Sequence, residues 1–487
     1  MRARRARCAS GRSRQARRSG SSGSTGPSPP RRHRSSVLTT YRSSRERVQP
    51  LPTLRGKPGE RRCDPFGITP VPRARGILAC RVFSKHACSK HGRAASRNDD
   101  FPGDVVRRRT SAPDVAIVGG GISGMALAWQ LVERRQTVAI VDRAGLGAGA
   151  TAIQPGGVRR QWRNRANCLL AAESIGFYRE LGTRLGVTVD AGFQACGYLF
   201  VAHTEEALAS LAVGVAVQNE LGVPSRLLTS AEASAIVPGL NGSAVVGASF
   251  CAEDGYFDRP QAVVGAFVEA CSAAGVAVEQ ASVEAIEPCG ERWSLALAGG
   301  SRLEAGQVVV AAGWETPALL EPLGVRLPIH REPRYLFYSD PIAKRLLEPL
   351  VVSPERHLAA KQLGDGSVLA SDLSAGSDPA EGEDVWRRRL RAGLSELLPI
   401  LDYVGLPTMV EGLYDLTPDG MAIVGAVPGH DGLWAHAGHS GRGFMMAPAM
   451  ARLLADAIMD GAADELLQPL SPGRFDGAPL AAELQVV

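Results

Sequence analysis

Residues 115–142 read VAIVGGGISGMALAWQLVERRQTVAIVD, and the reading of the whole chain starts from them. Val115 to Val118 is a short apolar run, as a buried parallel strand requires. Gly119, Gly121 and Gly124 follow in G-x-G-x-x-G spacing, then a helical stretch from about Ser123 to Arg135, then a second apolar run, Val138 to Val141, ending on Asp142. A strand, a glycine turn, a helix and a strand closed by an acid about 20 residues past the central glycine make a βαβ unit that binds a dinucleotide. The three glycines serve different ends. Gly119 allows the tight turn, Gly121 lets backbone approach a pyrophosphate, and Gly124 lets the helix pack against the strand. Ile122 and Ser123 open the helix, whose free N–H groups and positive dipole end favour phosphate. Asp142, with Arg143 beside it, is placed to accept hydrogen bonds from a ribose.

The chain has 487 residues and a formal net charge of +6, which conceals an asymmetry. Residues 1–112 hold 28 Lys+Arg and 6 Asp+Glu, a balance of +22, so residues 113–487 carry −16. The first segment is rich in Arg, Ser, Gly and Pro without apolar periodicity, and is expected to be disordered. It reads as an over-long gene model, an organellar transit sequence or a basic tail for a polyanion; the preference for Arg over Lys along the whole chain fits a GC-rich genome and the first of these. The acidic remainder does not suggest a nucleic-acid surface. No apolar run approaches the roughly 20 residues of a transmembrane helix. The nine cysteines include no C-x-x-C pair, and read as mostly free thiols of a reducing, cytoplasmic environment, or an organellar one if the basic segment is a transit peptide.

Beyond Asp142 lies RAGLGAGATAIQPGGVRRQW. Gly149, Ala150 and Thr151 form a second candidate phosphate or flavin contact, and Gly156 and Gly157, followed by Val158, would let backbone lie against a flat ring. This stretch resembles the G-S-G-A-S…G-G-V-R-x-Q segment of the D-amino-acid oxidase and sarcosine oxidase superfamily, whose members use FAD to oxidise amines and amino acids. Other segments resemble it in the same order. EDGYFDRP (253–260) is similar to a D-G-x-x-D-P turn, with Asp258 expected to cap the next helix and Tyr256 either structural or facing substrate. The resemblance implies an adenine contact from the backbone of Val283. QVVVAAGW (307–314) resembles the closing strand of the flavin domain, with Ala311, Ala312, Gly313 and Trp314 against the cofactor. LPIHREPRYLFYSD (327–340) resembles a strand on the flavin face and makes Arg331 and Arg334 candidates for an anion. Lys361 precedes a hairpin, GDGSVLASD; some members place a lysine near the flavin, and nothing in the sequence shows that Lys361 is that lysine. Elsewhere Ser230 is expected to cap a helix, and one helix is expected from Asn167 to Leu185.

Residues 411–447, EGLYDLTPDGMAIVGAVPGHDGLWAHAGHSGRGFMMA, resemble the closing segment of the superfamily. The strand Leu433 to Ala437, the turn through Gly438, Ser440, Gly441, Arg442 and Gly443, and a helix from about Phe444 would present N–H groups to the flavin pyrimidine end. Two departures are informative. Gly412 stands where monomeric sarcosine oxidases carry a flavin-linking cysteine, which implies non-covalent FAD. Tyr414 stands where glycine oxidases carry a carboxylate-binding arginine, so a carboxylate here would fall to Arg159, Arg160, Arg334 or Arg442.

The expected fold is α/β with α+β character. A discontinuous Rossmann-like FAD-binding domain (113–190, 254–324, 411–465) carries a mostly antiparallel substrate domain (191–253, 325–410), with 466–487 as a tail. The resemblance implies an oxidoreductase that takes a hydride from the C–N carbon of an amino acid or secondary amine, nearest the sarcosine oxidase β-subunit and proline dehydrogenase group. No side-chain base is required if the neutral amine binds. Electrons pass to oxygen or to a quinone or protein carrier; an FAD-binding assembly protein without turnover and an NAD-dependent dehydrogenase are the rival readings. His436 and His439 are candidates to tune the flavin or to be structural. No metal site is expected.

Overall fold

The structure, a computed structural model, describes residues 112–461, 464–477 and 482–483. The basic segment, with every expectation placed on residues 1–111, lies outside the described residues.

The strand Val115–Val118 is central to a six-stranded sheet. Its order is Ile423–Ala426, Leu433–Ala437, Gln307–Val310, Val115–Val118, Val138–Val141, Ala277–Glu279. All neighbours are parallel except the Ile423–Ala426/Leu433–Ala437 hairpin. Strand periodicity sends alternate residues to opposite faces. Val115 and Ile117 pack on a helical layer built from Ile122–Glu133, Arg165–Arg179, Pro260–Ala273 and Gly443–Asp460. Ala116 and Val118 pack on a three-stranded antiparallel sheet, Val283–Cys289, Arg292–Leu297 and Arg302–Ala305.

A second sheet has eight strands, in the order Thr408–Leu416, His330–Tyr338, Val368–Asp372, Leu358–Gln362, Leu350–Ser353, Tyr198–Ala202, Gly247–Cys251, Arg226–Thr229. Only the Leu350–Ser353/Tyr198–Ala202 pair is parallel. Leu199 and Val201 face a core closed by the helices Ser230–Ile236 and Glu383–Leu397, with Trp386 stacked on Tyr335 at 4.2 Å. Tyr198 and Phe200 point the other way, toward Tyr256. The strand Thr408–Leu416 crosses the expected boundary at 410/411: pairing with His330–Tyr338 keeps all of it in this sheet.

Local chemistry departs from expectation in four places. Thr229, not Ser230, caps the helix Ser230–Ile236, through a capping box with Glu232. Asp258 caps nothing: its carboxylate accepts from Gly364 N and Gln194 Nε2, and the helix Pro260–Ala273 starts from Arg259 with proline in its first turn. The helix expected from Asn167 to Leu185 begins at Arg165, where Asn164 caps it, and breaks at Glu180 into Arg165–Arg179 and Leu181–Leu185. The expected tail is partly core: Leu467 and Leu470 pack under the helical layer, and Glu483 is buried, accepting from Asn164 N and Asn167 Nδ2 at 3.0 Å each. Among the described residues no helix is long and apolar enough to cross a membrane.

Candidate functional site

A cavity of about 560 Å³ opens where the strands Val115–Val118, Val138–Val141 and Gln307–Val310 end. The carboxyl ends of parallel strands are where open α/β sheets take ligands. Gly119 leaves the first strand at φ +114°, a conformation that side chains rarely adopt, and a Cβ there would run into the Ala311 carbonyl oxygen. A Cβ at Gly124 would run into the Gly119 carbonyl oxygen, so the helix Ile122–Glu133 sits this close to its strand only because both positions lack side chains. No side chain caps that helix at Gly121 and no acid lies in its first turn. Among the described residues the only neighbour that a Cβ at Gly121 would meet is the Thr151 hydroxyl, which itself accepts from Ile122 N at 3.0 Å. The helix Gly443–Asp460 likewise begins without a side-chain cap or an acid, and its first residues, Gly443 and Phe444, line the same cavity. Two helix N-termini therefore offer positive ends to one space, an arrangement suited to an anion.

Asp142 lines the cavity while accepting from the backbone N–H groups of Gly120, Ala144 and Gly145. Arg143 beside it pairs with Glu315 at 2.7 Å. Gly149, Ala150, Val283 and the run Ala311–Trp314 complete this part of the lining. Gly124, Val158 and Gly438 lie behind it, and Gly156, Gly157, Ser440 and Arg442 line a smaller neighbouring cavity instead.

His439 ties the two helix starts together. Its Nε2 is 3.2 Å from Ser123 Oγ and its Nδ1 3.4 Å from Asp415 Oδ2, and all three residues line the larger cavity. The order Ser, His, Asp comes from positions 123, 439 and 415, a juxtaposition that no local spacing announces. Ser440 next to it holds φ +50° with its hydroxyl against Thr417 Oγ1 at 3.2 Å. His436 is fully buried without hydrogen-bond partners and lines neither cavity; burial holds its pKa well below the usual value, so it is neutral.

The smaller cavity, about 110 Å³, adjoins the larger one through Gln154, Leu336, Tyr414 and Phe444, which line both. Arg159, Arg442 and Lys361 line it, and among the described residues no Asp or Glu does. The Arg159 guanidinium stands 3.8 Å, and that of Arg442 4.9 Å, from the Trp162 ring centroid. Arg442 is buried; Nη1 donates to the Gly420 carbonyl, while Nε and Nη2 have no hydrogen-bond partner. Burial pushes the pKa of each of these arginines down to about 10. Lys361 is buried on the strand Leu358–Gln362, donates to the Pro155 carbonyl at 2.5 Å and stands 4.3 Å from the Tyr256 ring centroid. Burial pushes it down to about 7. Burial also pushes the Tyr414 phenol up, so Tyr414 is a neutral donor between the two cavities.

The other sequence candidates are committed elsewhere. Arg160 bonds Glu253 at 2.8 Å and buried Asp254 at 3.4 Å and lines neither cavity. Tyr256 is buried outside both, donating to the Gln362 carbonyl at 2.6 Å. Arg334 lines the larger cavity, but its guanidinium is paired with Glu332. Arg331 lies over the Trp314 ring at 4.9 Å. Sequence reasoning missed Trp162, whose only signal was a tryptophan shortly after two arginines, and Glu483, which lay in the presumed tail.

Residues 114–457 match the family model described as DAO, FAD dependent oxidoreductase. The chain belongs to this family. It is 26% identical over 361 residues to a glycine oxidase of Geobacillus kaustophilus, covering 71% of this chain and 92% of that one. It is also 26% identical to FAD-dependent oxidoreductase domain-containing protein 1 of Xenopus laevis, over 74% of this chain and 81% of the other. The solved L-proline dehydrogenase of P. horikoshii superposes with a TM-score of 0.69 at 25% identity, over 76% of this chain and 99% of that one. DAO-family members use FAD, and the larger cavity fits it: side chains are missing where a pyrophosphate would approach backbone, two uncapped helix starts meet there, and a carboxylate stands at the ribose position. Thr151 and the Gly119–Gly121 turn would hold the pyrophosphate, Asp142 the ribose, and Gly441, Gly443 and Phe444 the ring end.

Proposed function

We propose that this oxidoreductase acts on the C–N bond of an amino acid or secondary amine. The observation that carries the reading is Arg442: a buried cation with two unpartnered guanidinium nitrogens, in a small cavity that opens beside Tyr414 onto the flavin-binding space. Such a group calls for a carboxylate, which accepts both N–H groups at once. Bound FAD supplies the two-electron acceptor. The substrate carbon gives up hydride, the nitrogen lone pair closes the C=N bond, and the imine takes up water to give a carbonyl compound and an amine. Arg442 and Arg159 anchor the carboxylate, the Tyr414 hydroxyl donates at the junction of the cavities, and the apolar walls Leu336, Leu350, Leu369 and Phe444 exclude water from the reacting carbon.

Two further points belong to this reading. The FAD is non-covalent: Gly412 lines the larger cavity, and none of the described cysteines lines either one. The flavin-binding part comprises 113–190, 254–324 and 411–465, while 191–253 and 325–410 shape the substrate side, with the strand Thr408–Leu416 shared. The free state of the described cysteines supports a reducing, cytoplasmic setting.

The test is the visible spectrum of the purified protein under anaerobic conditions with a panel of amino acids and secondary amines. Bleaching of the flavin bands by at least one of them is expected; a flavin spectrum that none of them changes would remove this reading. Oxygen uptake during turnover, against reduction of an artificial dye, then separates oxygen from a carrier as acceptor.

A further inference from the structure

Resting on that reading, we propose that Lys361 takes the proton from the substrate's ammonium group, so that hydride leaves a neutral amine. An amino acid or small amine is an ammonium at neutral pH, and its nitrogen has no lone pair to close a C=N bond until that proton goes. The proton needs an acceptor beside the substrate. Among the described residues the titratable groups lining the smaller cavity are Arg159, Tyr198, Lys361, Tyr414 and Arg442. The two arginines, pushed by burial only to about 10, stay protonated at neutral pH. Burial pushes both phenols up, so they too keep their protons. Lys361, pushed by burial down to about 7, is the one that can stand neutral with a lone pair to offer.

The surroundings of Lys361 fit this role. Its Nζ donates to the Pro155 carbonyl and stands 4.3 Å from the Tyr256 ring centroid. A neutral amine makes that hydrogen bond and still has its lone pair for the cavity. The carboxylate whose charge reaches Lys361 is Asp258, which does not line the cavity and already accepts from Gly364 N and Gln194 Nε2. Asp258 pulls the lysine's pKa up, and burial outweighs it. Cys196, which also acts on Lys361, is a thiol that burial keeps protonated. The Tyr256 hydroxyl accepts from Arg345 Nη2 at 2.8 Å, and burial pushes its pKa up as well. A space of about 110 Å³ holds only a small ligand, so an amine anchored by its carboxylate at Arg442 also lies against Lys361. In the step an N–H bond of the ammonium breaks and one forms at Nζ, with no electrons gained or lost; hydride transfer then starts from the neutral amine.

The experiment uses holoenzyme under anaerobic conditions. The probes are N-methylglycine, each enantiomer of alanine and any other amine of the panel that bleaches the flavin. The rate of flavin reduction at low substrate is followed against pH. In the native protein it should rise about tenfold per pH unit below about 7 and level off above. Lys361→Met should lose that break and fall about a hundredfold at pH 7, recovering toward the native rate near about pH 10, where the amine arrives already neutral. Lys361→Gln takes its place if the first variant does not fold. A loss of equal size at every pH would mark a structural lysine and overturn the inference, as would a native profile shared by the variant. Independently of turnover, native holoenzyme is labelled briefly with cyanate, which carbamylates only neutral amines, across about pH 5 to 9, with exposed Lys344 as internal reference. Lys361 should reach half its maximal labelling near pH 7. Labelling that begins only above about pH 9, or none in a cavity that must admit a substrate larger than cyanate, overturns the inference. If no amine of the panel reduces the flavin, C–N oxidation fails and this proton transfer fails with it, whatever the labelling shows. If amines reduce it with a pH profile indifferent to Lys361, the proton acceptor fails and the C–N reading stands.

Discussion

Replacing Arg442 by Met should separate binding from stability. A guanidinium pushed by burial down to about 10 from its ordinary value reports roughly 3 kcal/mol lost by its charged form. Met fills a similar volume without a charge and so recovers most of that. The substitution also removes the hydrogen bond to the Gly420 carbonyl, worth about 1.5–3 kcal/mol for a charged donor. The two contributions nearly cancel, and the melting temperature of the holoenzyme should stay within about 3 °C of the native value. Ligand binding has no such compensation. Two charged hydrogen bonds at about 1.5–3 kcal/mol each amount to a loss of at least roughly a hundredfold in affinity for a carboxylated amine. The assays are a thermal melt followed by flavin fluorescence and an anaerobic titration of flavin reduction. A melt lowered by more than about 6 °C with affinity unchanged would show that Arg442 is a structural strut and would refute the reasoning.

Other substitutions probe the surroundings. Gly121→Val should yield colourless protein, because its side chain would point past Thr151 into the space left for the pyrophosphate; a variant with a full flavin spectrum would contradict the placement of the cofactor. Asp254→Ala should cost about 3–5 kcal/mol, since it strips buried Arg160 of its most buried partner, and a denaturation midpoint close to native would show that Glu253 alone suffices. Lys361, pushed by burial to about 7 from 10.5, weighs against the folded state with a penalty absent above pH 10.5, growing as pH falls and complete below about 7. Lys361→Met should therefore be more stable than native by roughly 3–5 kcal/mol at pH 7, with the gap narrowing toward pH 10; a gap that does not change with pH would mean the amine is not desolvated.

Both buried-cation predictions share a logic that bears on function. Arg442 and Lys361 are each held with their charge desolvated and few partners to offset it. Charges that cost stability and line a cavity are the ones the proposed substrate site would use, whereas Arg160, also buried, is satisfied by Glu253 and Asp254.

The sequence by itself determined the turns and helix starts that shape the larger cavity. The tight turn at Gly119, the close packing at Gly124, the acid at Asp142 and the second glycine turn at Gly438 to Gly443 are contiguous patterns, because backbone conformation and helix starts are set by near neighbours. The strands Val115–Val118 and Val138–Val141 were legible for the same reason: each is a short apolar run, the first ending in a glycine turn and the second on an acid, written residue by residue. Caps were less so, since Thr229 and Ser230 are equally good cap residues and only the return bond from Glu232 chooses between them. The lining of the smaller cavity was decided by tertiary structure alone. Arg159, Arg160, Arg334 and Arg442 are indistinguishable as arginines; what separates them is that folding brings Glu253 and Asp254 to Arg160 and Glu332 to Arg334, and leaves Arg442 at the Trp162 ring with two nitrogens unused. Desolvation and charge pairing depend on whatever the fold packs around a group, and for this cavity those neighbours come from residues 159, 361, 414, 442 and 483, which only the closed fold brings together.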